Sequence, residues 1–172
     1  MIPLAIDNRQ AEALAALEAL AARLGWSGEA VTVEGDLVFQ VPLPTDPDVS
    51  GAFFVVEAGE LNVRLHLTLP LVAAPSRLVE ASEFVLRSGS SRRFGALEFD
   101  LDEGTLRIRA DVDVAEATLD ESIARLLDRA MTLARDVSPG WRAVCRGATA
   151  DEALGRRRMT SHQWRTTGRG SS

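Results

Sequence analysis

The sequence predicts an α+β fold, with a mainly antiparallel sheet, helices packed on one face, and the order α-β-β-β-α-β-β-α. Three observations carry this. Residues 96–114 alternate apolar and charged side chains, as in a two-stranded hairpin with an inside and an outside. Leu61, Val63, Leu65, Leu67 and Leu69 give another segment an uninterrupted apolar face. Two further segments, residues 8–24 and 118–137, repeat apolar residues at helical spacing. A sheet with one apolar face must bury it, and helices of this kind are its cover.

The elements follow in order. Asp7 and Gln10 form a capping-box pair ahead of a first helix over 8–24, and Gly25 is placed to end it. Residues 31–44 hold Val31, Val33, Leu37, Phe39 and Val41 in odd parity through Gly35. That pattern suits one long strand bulged at Gly35, the favoured reading, or a tight hairpin turning at Gly35-Asp36. Three prolines make residues 42–51 a loop. Residues 52–57 and 61–69 then read as a second hairpin, ended by Pro70. A helix over 76–88 starts with Ser76 as N-cap. In the hairpin at 96–114, a two-residue turn at Glu103-Gly104 would set Leu101 against Leu106, Phe99 against Ile108 and Leu97 against Ala110. The same register sets Asp100 against Arg107 and Glu98 against Arg109. Thr118 and Glu121 form a capping box for the last long helix, and Ser138-Pro139-Gly140 is expected to stop it. Residues 1–144 thus form one domain. Residues 145–172 form a tail with at most one helical turn at 151–154, too poor in apolar surface to offset the entropy of ordering it.

Charge divides the chain in the same place. All 19 basic residues are Arg, and the net charge is −6. From residue 146 onward six Arg stand against Asp151 and Glu152, a balance of +4, which leaves −10 on residues 1–145. An acidic body disfavours nucleic acid and anionic membrane as partners. The single Cys145 excludes an internal disulfide and fits a reducing compartment. The first ten residues lack the basic and continuous apolar regions of a signal peptide, and Arg64, His66 and Pro70 interrupt the most apolar stretch. A cytoplasmic protein is expected.

Residues 61–70 (LNVRLHLTLP), 76–89 (SRLVEASEFVLRSG), 95–114 and 118–137 together resemble the YbjN family, within the type III secretion chaperone-like fold. The resemblance covers residues 8–144. It implies a non-enzymatic, protein-binding module of chaperone-like or regulatory role that holds an extended client segment on its sheet and helix surface. It also implies a cytoplasmic homodimer.

Four residues form the candidate partner-binding site: Phe53, Val55, Arg64 and His66. Parity puts Phe53 and Val55 on a sheet face that is otherwise polar, where an apolar patch could seat a client or a second subunit. The tail offers an alternative, a regulator whose Arg156, Arg157, Arg158 and Trp164 contact nucleic acid or an acidic partner. No catalytic residue is expected. Asp100, Asp102, Glu103, Asp111 and Asp113 read as a solvated face. His66 and His162 are the only histidines, without metal-ligand spacing, so neither a metal nor any other cofactor is expected. Cys145 has no sequence neighbour that would activate it.

Overall fold

The computed structural model describes residues 6–58, 62–90, 94–113 and 118–156. Helix α1 (Asn8–Leu24) precedes strands β1 (Glu29–Val33), β2 (Asp36–Pro42), β3 (Gly51–Val56) and β4 (Asn62–Val72). A 3-10 turn, Pro75–Arg77, opens α2 (Leu78–Gly89). Strands β5 (Ala96–Asp100) and β6 (Thr105–Asp113) follow, then α3 (Leu119–Cys145) and the short α4 (Ala150–Leu154). The strands form one antiparallel sheet of six in the order β1-β2-β3-β4-β6-β5. The molecule is therefore an α+β protein with its helices against one sheet face, as the alternation predicts.

Burial alternates strictly along β3, β4 and β6. Ala52, Phe54, Val56, Val63, Leu65, Leu67, Leu69, Leu106, Ile108 and Ala110 face inward and are at most 2% exposed. Helix α3 lies over β4 and β6 and buries Ile123, Ala130, Ala134, Val137 and Trp141 against them. Helix α1 is fixed at its start by a complete capping box between Asp7 and Gln10. The buried Gln10 amide also donates to the Gly35 and Val56 carbonyls, at 2.9 and 3.1 Å, and so ties the helix to the sheet.

Several local expectations give way. Pro70 does not end β4, which runs past it to Val72 across an irregularity in its pairing with β6 between Thr68 and Val72. Residues 31–44 are not one bulged strand. The chain reverses at Glu34-Gly35, both with positive φ, and Val33 pairs with Asp36. A two-residue turn of this kind matches the twist of its strands, and glycine takes the second position without strain. Parity therefore flips across the turn, and Val31 and Val33 face away from Leu37 and Phe39.

The β5–β6 register is two residues from the expected one. Phe99 pairs with Leu106, Leu97 with Ile108, and Glu98 with Arg107. The cause is Asp100, whose carboxylate accepts from the Asp102 and Glu103 amides and builds a four-residue turn over 101–104. Leu101 is left outside, 59% exposed.

Ser76 does not cap α2, because the 3-10 turn replaces the cap. Thr118 holds the N-cap position of α3 without a side-chain cap bond. Nor does Pro139 stop α3, which runs through it to Cys145. A proline inside a helix costs about 3 kcal/mol. The continuation offsets this by burying Trp141 and Val144 completely, worth roughly 1.5–3 kcal/mol for each large side chain. Trp141 also donates to the Leu71 carbonyl at 2.9 Å and packs edge-on against Phe99.

The chain beyond α3 is partly built into the fold. Thr149 and Glu152 make a capping box for α4, and Ala150 and Ala153 are buried against α2 and α3. Arg77 donates to the Val144 and Ala148 carbonyls, and Glu80 accepts from the Ala150 amide. At Gly140 a Cβ would come within 2.6 Å of Phe84 and 2.7 Å of the Ala153 carbonyl, so only glycine lets the three helices meet here. Gly140→Ala is expected to lower unfolding free energy by about 1–3 kcal/mol in denaturant titration, the usual cost of overpacking. An unchanged midpoint would mean that α4 yields freely.

Candidate functional site

The outer face of the sheet holds the candidate site. Phe53 and Val55 on β3 pair with His66 and Arg64 on β4. Backbone register extends these pairs into rows. Val31, Val38, Val55, Arg64 and Asp111 form one row; Glu29, Gln40, Phe53, His66 and Arg109 form the next. The structure thus brings all four candidate residues together. It adds Val38, which the sequence reading did not single out, and Val31 and Val33, which were missed because parity was carried straight through Gly35. The Glu34-Gly35 turn was their signal.

The face has two halves. On the β1–β3 side it is apolar at its centre, with Glu29 and Gln40 towards one end and Asp36 at the other. Phe53 lies stacked on the His66 ring, centroids 4.4 Å apart and planes 7° from parallel. Val38, Phe53 and Val55 are half-buried. On the β4–β6–β5 side lies a chain of alternating charges. Glu57 accepts from Arg64 at 2.6 Å, and Arg64 reaches Asp111 at 2.8 Å. Asp111 meets Arg109 at 3.3 Å, and Arg109 meets Glu98 at 3.0 Å. Exposed pairs contribute little stability one by one. Their effect here is to engage both arginines, and Asp111 holds the Arg64 guanidinium above its usual range. Arg107 pairs with Glu103 at 3.0 Å. Within this face Arg64, Arg107 and Arg109 are thus already committed to carboxylates, so the face is poorly suited to an anion such as nucleic acid.

His66 stands between the halves. Its Nδ1 is 3.5 Å from the second Glu98 oxygen, long for a hydrogen bond. Burial lowers its pKa, Glu98 opposes that, and Arg64 and Arg109 add to the lowering. The folded protein therefore holds His66 neutral at pH values where the unfolded chain would protonate it.

The remaining candidates sort quickly. Arg156 is exposed just after α4. Arg157, Arg158 and Trp164 lie outside the described residues, as does His162. The Cys145 thiol is pushed up to about 11 by burial, so it carries no thiolate at neutral pH. Asp100 builds its turn, and Asp102 and Glu103 are exposed on it. No group of three or more His, Cys, Asp or Glu among the described residues could hold a metal ion. An open cleft of about 500 Å³ lies between Trp26 and the 42–47 loop. Its one carboxylate, Asp46, is spent on the Asp48 and Val49 amides. Among the described residues, no helix is long and apolar enough to cross a membrane.

A six-stranded antiparallel sheet under a helical layer, with a half-apolar outer face and a saturated ion chain, defines an α+β class whose exposed sheet surface is its distinctive feature. The chain belongs to the YbjN family, described as "Putative bacterial sensory transduction regulator", which matches residues 13–141. A solved structure, "Crystal Structure of the ExsC-ExsE Complex", is similar at 20% identity, covering 73% of this chain and 93% of that chain with a TM-score of 0.43. No curated protein matches the sequence.

Because burial lowers the pKa of His66, its contribution to stability is complete above about pH 6.5 and falls as pH drops from there toward the folded value. NMR titration is expected to place the His66 midpoint below 6.5, and Glu98→Gln to lower it further by removing the opposing carboxylate. A midpoint above 6.5, or a rise in the variant, would contradict this arrangement.

Proposed function

We propose that the protein is a non-enzymatic, regulatory binding module of the cytoplasm that holds an extended segment of a partner protein on its outer sheet face. The observation that carries this is the Phe53–His66 stack, a half-buried aromatic platform on the solvent side of a sheet whose other side already forms the core. Val38 and Val55 widen it, while the Glu57–Arg64–Asp111–Arg109–Glu98 chain borders it. An extended segment with apolar side chains on one edge fits such a surface, and the charged border sets its direction and register. The family's regulatory description agrees with a role of this kind. The one cysteine, free and half-buried, agrees with a reducing compartment.

The test is affinity capture from the native host. Wild-type protein and Val79→Asp, a change on the exposed side of α2, are expected to retain the same partner. Phe53→Asp and Val55→Asp are expected to lose it while keeping the wild-type circular dichroism melt. Capture unchanged in both sheet variants would remove the site. If deletion of residues 157–172 abolished capture and Phe53→Asp did not, binding would belong to the Arg-rich tail.

A further inference from the structure

The open cleft between Trp26 and the 42–47 loop shares no residue with the outer-face site. Its volume, about 500 Å³, lies within the roughly 300–1,000 Å³ of small-ligand sites. Both walls are fixed in advance. Gly25 ends α1 in the left-handed conformation, and the Trp26 amide donates back to the Ala21 carbonyl at 2.9 Å. Trp26 is half-buried and packs against the core. On the loop side, Asp46 Oδ1 accepts from the Asp48 and Val49 amides at 2.8 and 3.0 Å. Leu43 and Val49 anchor the loop in the core, and the Leu43 amide donates to the Ser50 carbonyl. Arg142 of α3 donates to the Pro47 carbonyl and to Asp48. Two neighbouring antiparallel strands need only a short turn between them. The bracing of this longer connection holds a concavity open.

The polar groups around the cleft favour one sign of charge. Pro42, Pro44 and Pro47 give the loop wall no N–H. The amides of Gly25, Trp26, Leu43 and Asp46 are already bonded within the chain. The two bonds to Asp46 use only Oδ1. Among the described residues, Oδ2 takes part in no hydrogen bond or ion pair, so the charge of this carboxylate is unmatched. No arginine lines the cleft: Arg142 is matched by Asp48 at 2.8 Å, and Arg23, in the last turn of α1, lies outside the lining. The C-terminal end of α1, a helix of 17 residues, borders the cleft at Gly25, and such an end carries about half a negative charge. Trp26 completes the set, since the indole face is the best aromatic partner for a cation.

We propose that this cleft binds a small organic cation, an ammonium head with methyl substituents, held by the Trp26 ring, the unmatched Asp46 carboxylate and the end of α1. A bare ammonium carries three N–H donors and needs an acceptor for each in place of water. A methylated head needs contact area and negative potential instead. The proline wall supplies the area, and the carboxylate and helix end supply the potential. The Ser27 and Thr45 hydroxyls, unbonded among the described residues, are available to a hydroxyl on the same molecule. A free molecule such as choline and a trimethylated lysine side chain both present this chemistry. The site requires neither Phe53 nor His66, so it stands or falls apart from the partner-binding reading.

The experiment uses the full chain and follows the Trp26 indole N–H by NMR, assigned from its absence in Trp26→Phe. Choline is expected to shift this signal saturably. Neohexyl alcohol, in which carbon replaces the charged nitrogen, is expected to bind roughly tenfold more weakly. Asp46→Asn keeps an oxygen for the Asp48 and Val49 amides and removes the charge. It is expected to weaken choline binding roughly three- to tenfold with an unchanged melt. Trp26→Phe, followed by calorimetry, is expected to weaken it by a similar factor, and Phe53→Asp to leave it unchanged. A peptide carrying trimethyllysine is titrated in parallel. Tighter binding than choline assigns the site to a modified protein chain, and equal or weaker binding assigns it to a free molecule. No saturable indole shift with either probe would overturn the proposal. So would equal binding of neohexyl alcohol, which would make the cleft merely apolar. Choline binding indifferent to both Trp26→Phe and Asp46→Asn would place it elsewhere and overturn the proposal as well.

Discussion

The seat of α3 on β4 governs the rest of the structure. Val63, Leu65, Leu67 and Leu69 can be dry only if they all point to the helix side, and the pleat then sends Asn62, Arg64, His66 and Thr68 to the other. Because β4 is hydrogen-bonded on both sides, its parity passes through register to β3 and β6 and then to the outer strands. The outer face is thus a by-product of the inner one. Its aromatic platform and its ion chain stand where they do because the core fixes the strands beneath them.

That dependence explains what could be read from the amino-acid sequence. The alternation in residues 52–57 and 61–69 places Phe53, Val55, Arg64 and His66 on one face, and they do share it. The Asp7–Gln10 box and the α1 boundaries were equally legible, being local. The ion chain across β4, β6 and β5 was not, since it joins residues up to 47 positions apart and depends on which strands become neighbours. Glu98 and Arg109 do pair, though diagonally and not across the ladder. Two turns account for most of the remaining differences. At Glu34-Gly35 a single reversal moved two valines from the core side to the solvent side. At Asp100 an acceptor side chain competed successfully for the turn and shifted the register by two. Pro139 shows the opposite case, a local stop signal overruled by the burial of Trp141 and Val144.

The outer face also shows how composition and site can point in different directions. The body of the chain is acidic, yet its exposed sheet surface carries three arginines, each matched to a carboxylate. Matched charges do not draw in polyanions. On the function proposed above, affinity for a partner comes from the apolar half, where desolvating a flat ring and branched side chains costs little and gains contact area. The His66 ring is common to both halves, stacked with one and charge-coupled to the other.

The strand order has a consequence for the protein during its synthesis. Four strands, β1 to β4, are made before any residue of β6, and β6 is the only strand that pairs with the free side of β4. Between Val72 and Thr105 a ribosome working at about 5–20 residues per second needs roughly 2–7 seconds. Through that interval the nascent chain carries a long, leucine-rich edge with no neighbour and no α3 to cover it. The most buried strand of the finished protein is thus, for a few seconds, its most exposed, and that is when the chain depends most on quality control in the cell.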